Sequence, residues 1–151
     1  MPTPRTHIVV HHSLTPDSGS VSWAAIEKYH RETNGWRAIG YHKGVESVTE
    51  NPELAKYRYQ VLQGRADDEQ ASACPQGDMN RIGLHVCCVG NFDLETPSDD
   101  MVRVLLTRVI QPWMREYGIP VENIVGHRDF NPHKSCPGVR FDLGLLREMA
   151  R

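Results

Sequence analysis

The strongest constraint on the fold is the alternation of short apolar runs with longer amphipathic segments along the chain. Runs rich in β-branched and other apolar residues occur at 6–11, 39–42, 57–62, 82–89 and 124–126. Runs of this length and composition predict strands of a buried sheet. Because segments with helical spacing alternate with them, the sequence predicts an α/β domain with a central mixed β-sheet flanked by helices.

Three segments carry helical signals: one that Ser20 or Ser22 could cap and that reaches about residue 33, one at 97–113 and one at 143–150. In the second, Thr96 is the expected N-cap and Pro97 the first helical residue, a position that suits proline. Pro112 lacks the backbone N–H that a helix interior needs, so we expect it either to kink the helix near its end or to start a new turn. Asp142 is the expected cap of the last helix. Residues 46–56 are polar, which favours a loop or a helical turn.

Length and composition limit the classes of protein that the chain can represent. It has 151 residues, of which 39% are apolar and 24% charged, so we expect one folded domain over 1–151 rather than a disordered chain. The apolar runs are too short for insertion into a membrane. A net charge of −2 removes the electrostatic case for nucleic-acid binding. The first residues lack the apolar segment of a signal peptide, so we expect synthesis in the cytoplasm.

The four cysteines do not have the spacing of a disulfide framework. Cys87 and Cys88 are adjacent in an apolar run, so their side chains should point to opposite faces of a strand. We expect both in the core, where a thiol behaves as a small hydrophobic group. Cys74 lies in a loop-like stretch and receives no role. Cys136 differs from the others, because histidines precede it in a turn-rich loop.

The segment from His127 to Gly138 has the composition of a metal-binding loop. His127 ends a predicted strand, and Cys136 follows it across a turn-rich stretch. Imidazole and thiolate are typical zinc ligands, and such a loop can bring them to one ion. A third ligand could be His11 or His12, which also end a strand and which alternation sends to opposite faces; the pattern does not decide between them. Three protein ligands leave one position open for water, as in catalytic zinc sites.

Seven short motifs follow one another along nearly the whole chain. They are IVVHHS at 8–13, GWRAIGYH at 35–42, QGR at 63–65, NRIGL at 80–84, VGNFD at 89–93, GHRD at 126–129 and KSCPG at 134–138. Each motif alone is weak. Together and in this order they resemble the type-2 N-acetylmuramoyl-L-alanine amidases, a family that includes short bacteriophage lysozyme-amidases and the peptidoglycan recognition proteins, and they imply the fold of that family.

The resemblance, carried over residue by residue, implies that His11, His127 and Cys136 hold Zn²⁺. It also implies catalytic roles for Tyr41 and Lys134, which fall on positions that phage-type members use for catalysis. Lys134 would face the oxyanion beside the metal. Tyr41 would orient the water or hydrogen-bond the tetrahedral intermediate, and the sequence does not choose between these roles. A cysteine as third ligand resembles the phage and recognition-protein branch and favours an active enzyme.

Neighbouring residues carry expectations of their own. We expect His12 to be structural, His133 to be exposed to solvent, and His42 to lie either beside the site or in the core. Arg128 and Asp129 are expected to pair and to fix the loop.

The chain departs from the family in two places. Residues 43–56 are longer and more polar than the usual hairpin, so substrate contacts there do not transfer. The family often has a histidine where this chain has 72–75, which affects how the peptide stem or sugar is held but not the metal.

The implied activity is zinc-dependent hydrolysis of the amide bond between N-acetylmuramic acid and L-alanine in peptidoglycan, with 1–151 as a single catalytic domain. We expect a monomer with a muropeptide substrate. The absence of a visible signal peptide suits a phage or prophage endolysin that reaches the cell wall after release or export. One alternative is a peptidoglycan-binding regulator with little or no catalysis. Another is a cysteine hydrolase with Cys136 as nucleophile and His127 as base, which is disfavoured because no helix begins at Cys136 to lower the pKa of its thiol.

Overall fold

The computed structural model describes residues 3–14, 22–48 and 58–151, and within these ranges its strands form one mixed sheet. The strands are β1 (His7–His12), β2 (Lys43–Ser47), β3 (Tyr59–Gln63), β4 (Gly83–Cys88) and β5 (Ile124–Gly126). Their order across the sheet is β3-β2-β4-β1-β5. Strands β2, β4, β1 and β5 run parallel to one another, and β3 pairs antiparallel with β2 at the edge of the sheet. The prediction of an α/β fold with a mixed sheet is confirmed.

Helices cover both faces of this sheet. They are α1 (Trp23–Glu32), α2 (Met79–Ile82), α3 (Asp99–Leu105), α4 (Gln111–Tyr117) and α5 (Leu143–Ala150). Within the described ranges, none of the helices has the length and apolar character needed to cross a membrane. The start of α1 is held twice, since the Ser22 hydroxyl accepts from the N–H of Ala25 and the Glu46 carboxylate accepts from the N–H of Trp23 at 2.8 Å. A carboxylate at this end also matches the positive end of the helix dipole.

Strand alternation separates the core into two sides. On one face, Ile8 and Val10 of β1 pack with Leu84 and Val86 of β4 in the main core beneath α3, α4 and α5. Cys88 belongs to this core, whereas Cys87 packs in a smaller cluster on the other face. The expected burial of both thiols on opposite faces is therefore confirmed. The face that carries Cys87 also carries the candidate site.

The long helical segment differs from its prediction at its start. Ser98, not Thr96, caps it, because the Ser98 hydroxyl accepts from the N–H of Met101 at 3.1 Å and α3 begins at Asp99. A π turn over Leu106–Ile110 joins α3 to α4. Pro112 is then among the first residues of α4, where its missing N–H costs little, so the expectation that it starts a new turn is confirmed.

The segment 39–42 is not a strand, and that prediction is wrong. Its backbone bonds instead to the loop that follows β3, since the carbonyl of Gly40 accepts from the N–H of Ser72 at 3.0 Å. A Cβ on Gly40 would lie 2.3 Å from the carbonyl oxygen of Ser72, so only glycine allows this approach. The prediction of a loop over 46–56 is wrong at its start, because Glu46 pairs with Gln60 inside the β2–β3 ladder. Residues 49–57, and Ser20 as the alternative cap of α1, lie outside the described residues.

Candidate metal centre

His11 and His127 meet because their strands are parallel neighbours. In the register of β1 and β5, Val10 lies opposite Gly126. His11 follows Val10 and His127 follows Gly126, so both histidines lie at the same end of the sheet. Their ring centroids are 5.1 Å apart.

Cys136 arrives from the loop that follows β5 and folds back over it. The backbone N–H of Arg128 donates to the carbonyl of Cys136 at 2.9 Å, and the N–H of His12 donates to the Cys136 Sγ at 3.3 Å. The loop lies tight against the strand, since a Cβ on Gly126 would meet the ring of Pro137 at 2.6 Å. The Sγ of Cys136 consequently lies 3.6 Å from Nδ1 of His11.

Three side chains can hold a metal ion at this end of the sheet. One donor atom each from His11, His127 and Cys136 lies within 4.8 Å of the other two. The Nε2 atom of His11 is hydrogen-bonded to Nδ1 of His85 at 2.8 Å, so Nδ1 is the atom of His11 that can bind a metal ion. Two imidazoles and a thiolate are a donor set that suits zinc. The residues present therefore fit a metal of this kind.

Burial lowers the pKa values of the two imidazoles and raises the pKa of the Cys136 thiol. Burial, reinforced by the neighbouring His85 and His127 rings, holds the pKa of His11 well below its ordinary value. Burial and then the charge of Lys134 lower the pKa of His127. Both rings are neutral at pH 7 and offer lone pairs. Burial raises the pKa of Cys136 to about 12, against the opposing effects of the His12 N–H and of Lys134. A bound cation would therefore displace a proton from this thiol.

The loop that carries Cys136 is held by two charged side chains. The guanidinium of Arg128 donates to the carbonyls of Gly138 at 2.6 Å and Phe141 at 3.0 Å. The carboxylate of Asp93 accepts from the Ser135 hydroxyl at 2.8 Å and from the N–H of Val139 at 2.9 Å. Together these bonds fix both sides of the loop around the thiol.

The expected pairing of Arg128 with Asp129 is not what the structure shows. Arg128 binds the loop carbonyls, while the carboxylate of Asp129 accepts from the N–H of Gly126 at 2.8 Å. The two neighbours therefore support the loop separately. A main-chain carbonyl so close to Arg128 satisfies the guanidinium without an acidic partner.

Tyr41 and Lys134 both lie near His11, His127 and Cys136, which together are called the metal trio. The Tyr41 ring centroid is 5.1 Å from that of His11. Burial, followed by the effects of Cys87 and Cys136, raises the pKa of Tyr41 well above its ordinary value. Lys134 is exposed in the ligand loop, where its backbone N–H donates to the carbonyl of Asn131 at 3.0 Å. Its charge is close enough to lower the pKa values of His127 and Cys136.

Four other histidines lie in different surroundings. His12 lies on the opposite face, where its Nδ1 accepts from the N–H of Phe92 at 3.1 Å, and His133 is exposed. His42 is fully buried and its Nδ1 accepts from the backbone N–H of His85 at 3.0 Å. Sequence reasoning assigned nothing to His85. The available signal was strand alternation, which puts a histidine two residues before Cys87 on the same face as Cys87.

Comparison with known proteins places this arrangement in a family. A family model described as N-acetylmuramoyl-L-alanine amidase matches residues 1–139. No curated protein matches the chain at a significant level.

Several solved structures share the fold. N-acetylmuramoyl-L-alanine amidase LysC from Clostridium intestinale URNW superposes with a TM-score of 0.77 at 22% identity, over 98% of this chain and 86% of that one. Bumblebee PGRP-SA gives 0.71 at 22% identity, over 96% and 81%. Wild-type Drosophila PGRP-LB gives 0.70 at 21% identity, over 91% and 77%. These likenesses establish the fold, and the family model covers most of the sequence. The chain therefore belongs to the N-acetylmuramoyl-L-alanine amidase family.

Proposed function

We propose that this protein is a zinc-dependent N-acetylmuramoyl-L-alanine amidase that cleaves the amide bond between N-acetylmuramic acid and L-alanine in peptidoglycan. The observation that carries the proposal is the convergence of His11, His127 and Cys136 at one end of the sheet, in a chain of this family. The fold is also that of amidases described as endolysins, such as LysCS from Clostridium intestinale URNW. These relatives support a substrate in the cell wall.

The metal ligands that we assign are Nδ1 of His11, the imidazole of His127 and the Sγ of Cys136. Zinc bound there would supply a Lewis acid that polarises the amide carbonyl and lowers the pKa of a water molecule. The protein contributes a partly buried, pre-arranged donor set, since strand register and the hydrogen-bonded loop hold the three side chains together before any ion binds.

We assign Lys134 to the oxyanion that develops on the amide carbonyl. Its position two residues before Cys136, its exposure to solvent, and the effect of its charge on the pKa values of His127 and Cys136 support this assignment. A cation placed where negative charge develops stabilises the transition state more than the ground state.

Tyr41 is assigned a hydrogen-bonding role rather than that of a general base. Its raised pKa means that the hydroxyl keeps its proton at neutral pH, so it can donate to an oxygen of the substrate or of the reacting water.

We further propose that residues 1–151 form one catalytic domain that acts as a monomer on the cell wall, as a phage or prophage endolysin does. Synthesis in the cytoplasm followed by release or export belongs to the same proposal.

The test is digestion of purified cell walls with end-group analysis. We expect new L-alanine amino termini, no rise in reducing sugar, loss of activity with a chelator and recovery with Zn²⁺. A rise in reducing ends without new amino groups would make the protein a glycosidase. Retention on insoluble peptidoglycan without any new amino termini would make it a binding protein instead. Full activity after exhaustive chelation would contradict the zinc-dependent mechanism.

A further inference from the structure

His85 is a fully buried titratable side chain that the proposed reaction does not use. It lies on β4 opposite Val9 of β1, on the same face as His11 and Cys87. A histidine in this position is costly unless both ring nitrogens have partners. Both do, and the partners determine where the protons lie.

The bond to Met79 assigns the proton on His85. Nε2 of His85 is 2.6 Å from the carbonyl oxygen of Met79, and a carbonyl oxygen can only accept. Nε2 must therefore donate. The ring is fully buried, and its two nitrogens meet a carbonyl oxygen and another imidazole rather than a carboxylate, so it is neutral. In a neutral imidazole the other nitrogen is an acceptor, so Nδ1 of His85 accepts.

The same reasoning continues to His11. Its Nε2 lies 2.8 Å from Nδ1 of His85, so His11 must carry its proton on Nε2 and donate. Its Nδ1 is then unprotonated and faces the Cys136 Sγ at 3.6 Å. The relay of hydrogen bonds from His11 through His85 to the Met79 carbonyl thus leaves the lone pair on the side of the metal trio.

We infer that His85 is the positioning residue of the metal centre: it holds His11 in the Nε2–H tautomer and in the ring orientation that presents Nδ1 to the ion. Rotation about the terminal torsion of histidine has two broad minima half a turn apart. A partner on Nε2 therefore selects orientation as well as tautomer. The inference deepens the proposed function and rests on it, because it takes the metal to lie at the trio.

His85 is itself held in place by His42. The backbone N–H of His85 donates to Nδ1 of His42 at 3.0 Å, and the backbone N–H of His42 donates to the carbonyl of His85 at 3.0 Å. Nε2 of His42 lies 2.7 Å from the carbonyl of Glu69, so it donates there. These hydrogen bonds give His42, the last residue of the GWRAIGYH motif, a structural role, and they fix the backbone of His85.

A pair of amide substitutions separates positioning from simple filling of space. His85→Asn puts an amide oxygen near the place of Nδ1, where it can accept from His11. His85→Gln puts its amide near the place of Nε2, where it can reach the Met79 carbonyl but not His11. His85→Leu removes both bonds. Leu105→Ala, in the core on the other face, is the control for general loss of stability.

The first measurement is zinc affinity by competition with a chromophoric chelator. We expect affinity to fall about 10- to 100-fold in His85→Gln and His85→Leu, the usual effect of losing such a partner, while His85→Asn stays near wild type and Leu105→Ala is unchanged. Equal affinity in wild type and His85→Gln would overturn the inference. So would equal losses in the Asn and Gln variants.

The second measurement is the nitrogen chemical shift of the His11 ring in the metal-free protein. We expect the proton on Nε2 in wild type and in His85→Asn, and a mixture of tautomers in His85→Gln. A proton on Nδ1 in metal-free wild type would overturn the inference. This measurement needs no metal, so a wild-type protein that binds no zinc would refute the proposed function while the His85 inference is still decided separately.

Discussion

The Sγ of Cys136 lies 3.6 Å from Nδ1 of His11, although 125 positions separate them in the chain. A ligand pair of this kind exists only in the folded protein, because an unfolded chain rarely closes so long a loop. Metal binding at the trio should therefore be coupled to global folding.

Zinc should stabilise the protein against heat. A ligand that binds only the folded state adds about 2.7 kcal/mol at a free concentration of 100 times its Kd. We expect a higher Tm with Zn²⁺ than with a chelator, measured by circular dichroism or calorimetry. Cys136→Ala should lose this difference, and His133→Ala, in the exposed part of the same loop, should keep it. Loss of the difference in His133→Ala alone would show that the wrong loop residue is assigned as a ligand.

Lys134→Ala should lower kcat on cell walls while zinc stays bound. Removal of a group that stabilises the oxyanion costs on the order of 10²-fold in kcat, with little change in KM. The His133→Ala variant again serves as the control, since both side chains are exposed in one loop. A kcat equal to that of wild type, with zinc content unchanged, would remove Lys134 from the catalytic assignment.

Tyr41→Phe should also lower kcat by on the order of 10²-fold if its hydroxyl donates to the transition state. The hydroxyl keeps its proton because its pKa is raised, so the loss should be similar from pH 6 to about pH 9, with the lost donor rather than a lost base as its cause. Tyr117→Phe, on α4 away from the site, is the matched control. A loss that appears only above pH 8 would instead favour a phenolate base.

Arg128→Ala should loosen the ligand loop. Hydrogen bonds from a charged group contribute about 1.5–3 kcal/mol each, and Arg128 donates to three main-chain carbonyls of this loop, those of Ser135, Gly138 and Phe141. We expect a lower urea midpoint and faster zinc release, followed by chelator chase. Arg140→Ala, an exposed arginine of the same loop, should change neither. If the two variants behave alike, the bracing role is wrong.

Part of this architecture could be predicted from local sequence. The runs at 6–11, 82–89 and 124–126 became strands because apolar and β-branched residues fill a buried sheet, and these strands carry the site. His127 and Cys136 were found from donor chemistry in a turn-rich loop. The choice of His11 over His12 came from the family resemblance, since alternation separates the two but does not say which face carries the candidate site.

Other features depend on partners that are distant in sequence. The segment 39–42 has a strand-like composition, but its backbone bonds to the loop at 64–72, and no local pattern reports that contact. Thr96 and Ser98 are both good caps, and the register of α3 on the core decides for Ser98. His85 is one polar residue in an apolar run, and its meaning depends on His11, 74 positions away.

The last prediction concerns acid stability. His42 is fully buried, and burial lowers its pKa to about 4 against the opposing bond to the Glu69 carbonyl. The unfolded chain protonates this histidine near pH 6.5, so between pH 6.5 and about 4 the unfolded state binds more protons than the folded state. The contribution of His42 to the free energy of unfolding is therefore fully present above pH 6.5. It is lost as the pH falls toward 4, by at most about 1.4 kcal/mol per pH unit.

His42→Gln should flatten that dependence, because it removes the proton-binding group while its amide can still donate to the Glu69 carbonyl. The measurement is urea unfolding of metal-free protein at pH 7, 6 and 5. His85, whose pKa is lowered to about 3, acts in the same direction in both proteins and leaves a residual slope. His133→Ala removes an exposed histidine and should keep the wild-type slope. Identical slopes in wild type and His42→Gln would mean that His42 is already charged in the folded state, in conflict with its two hydrogen bonds.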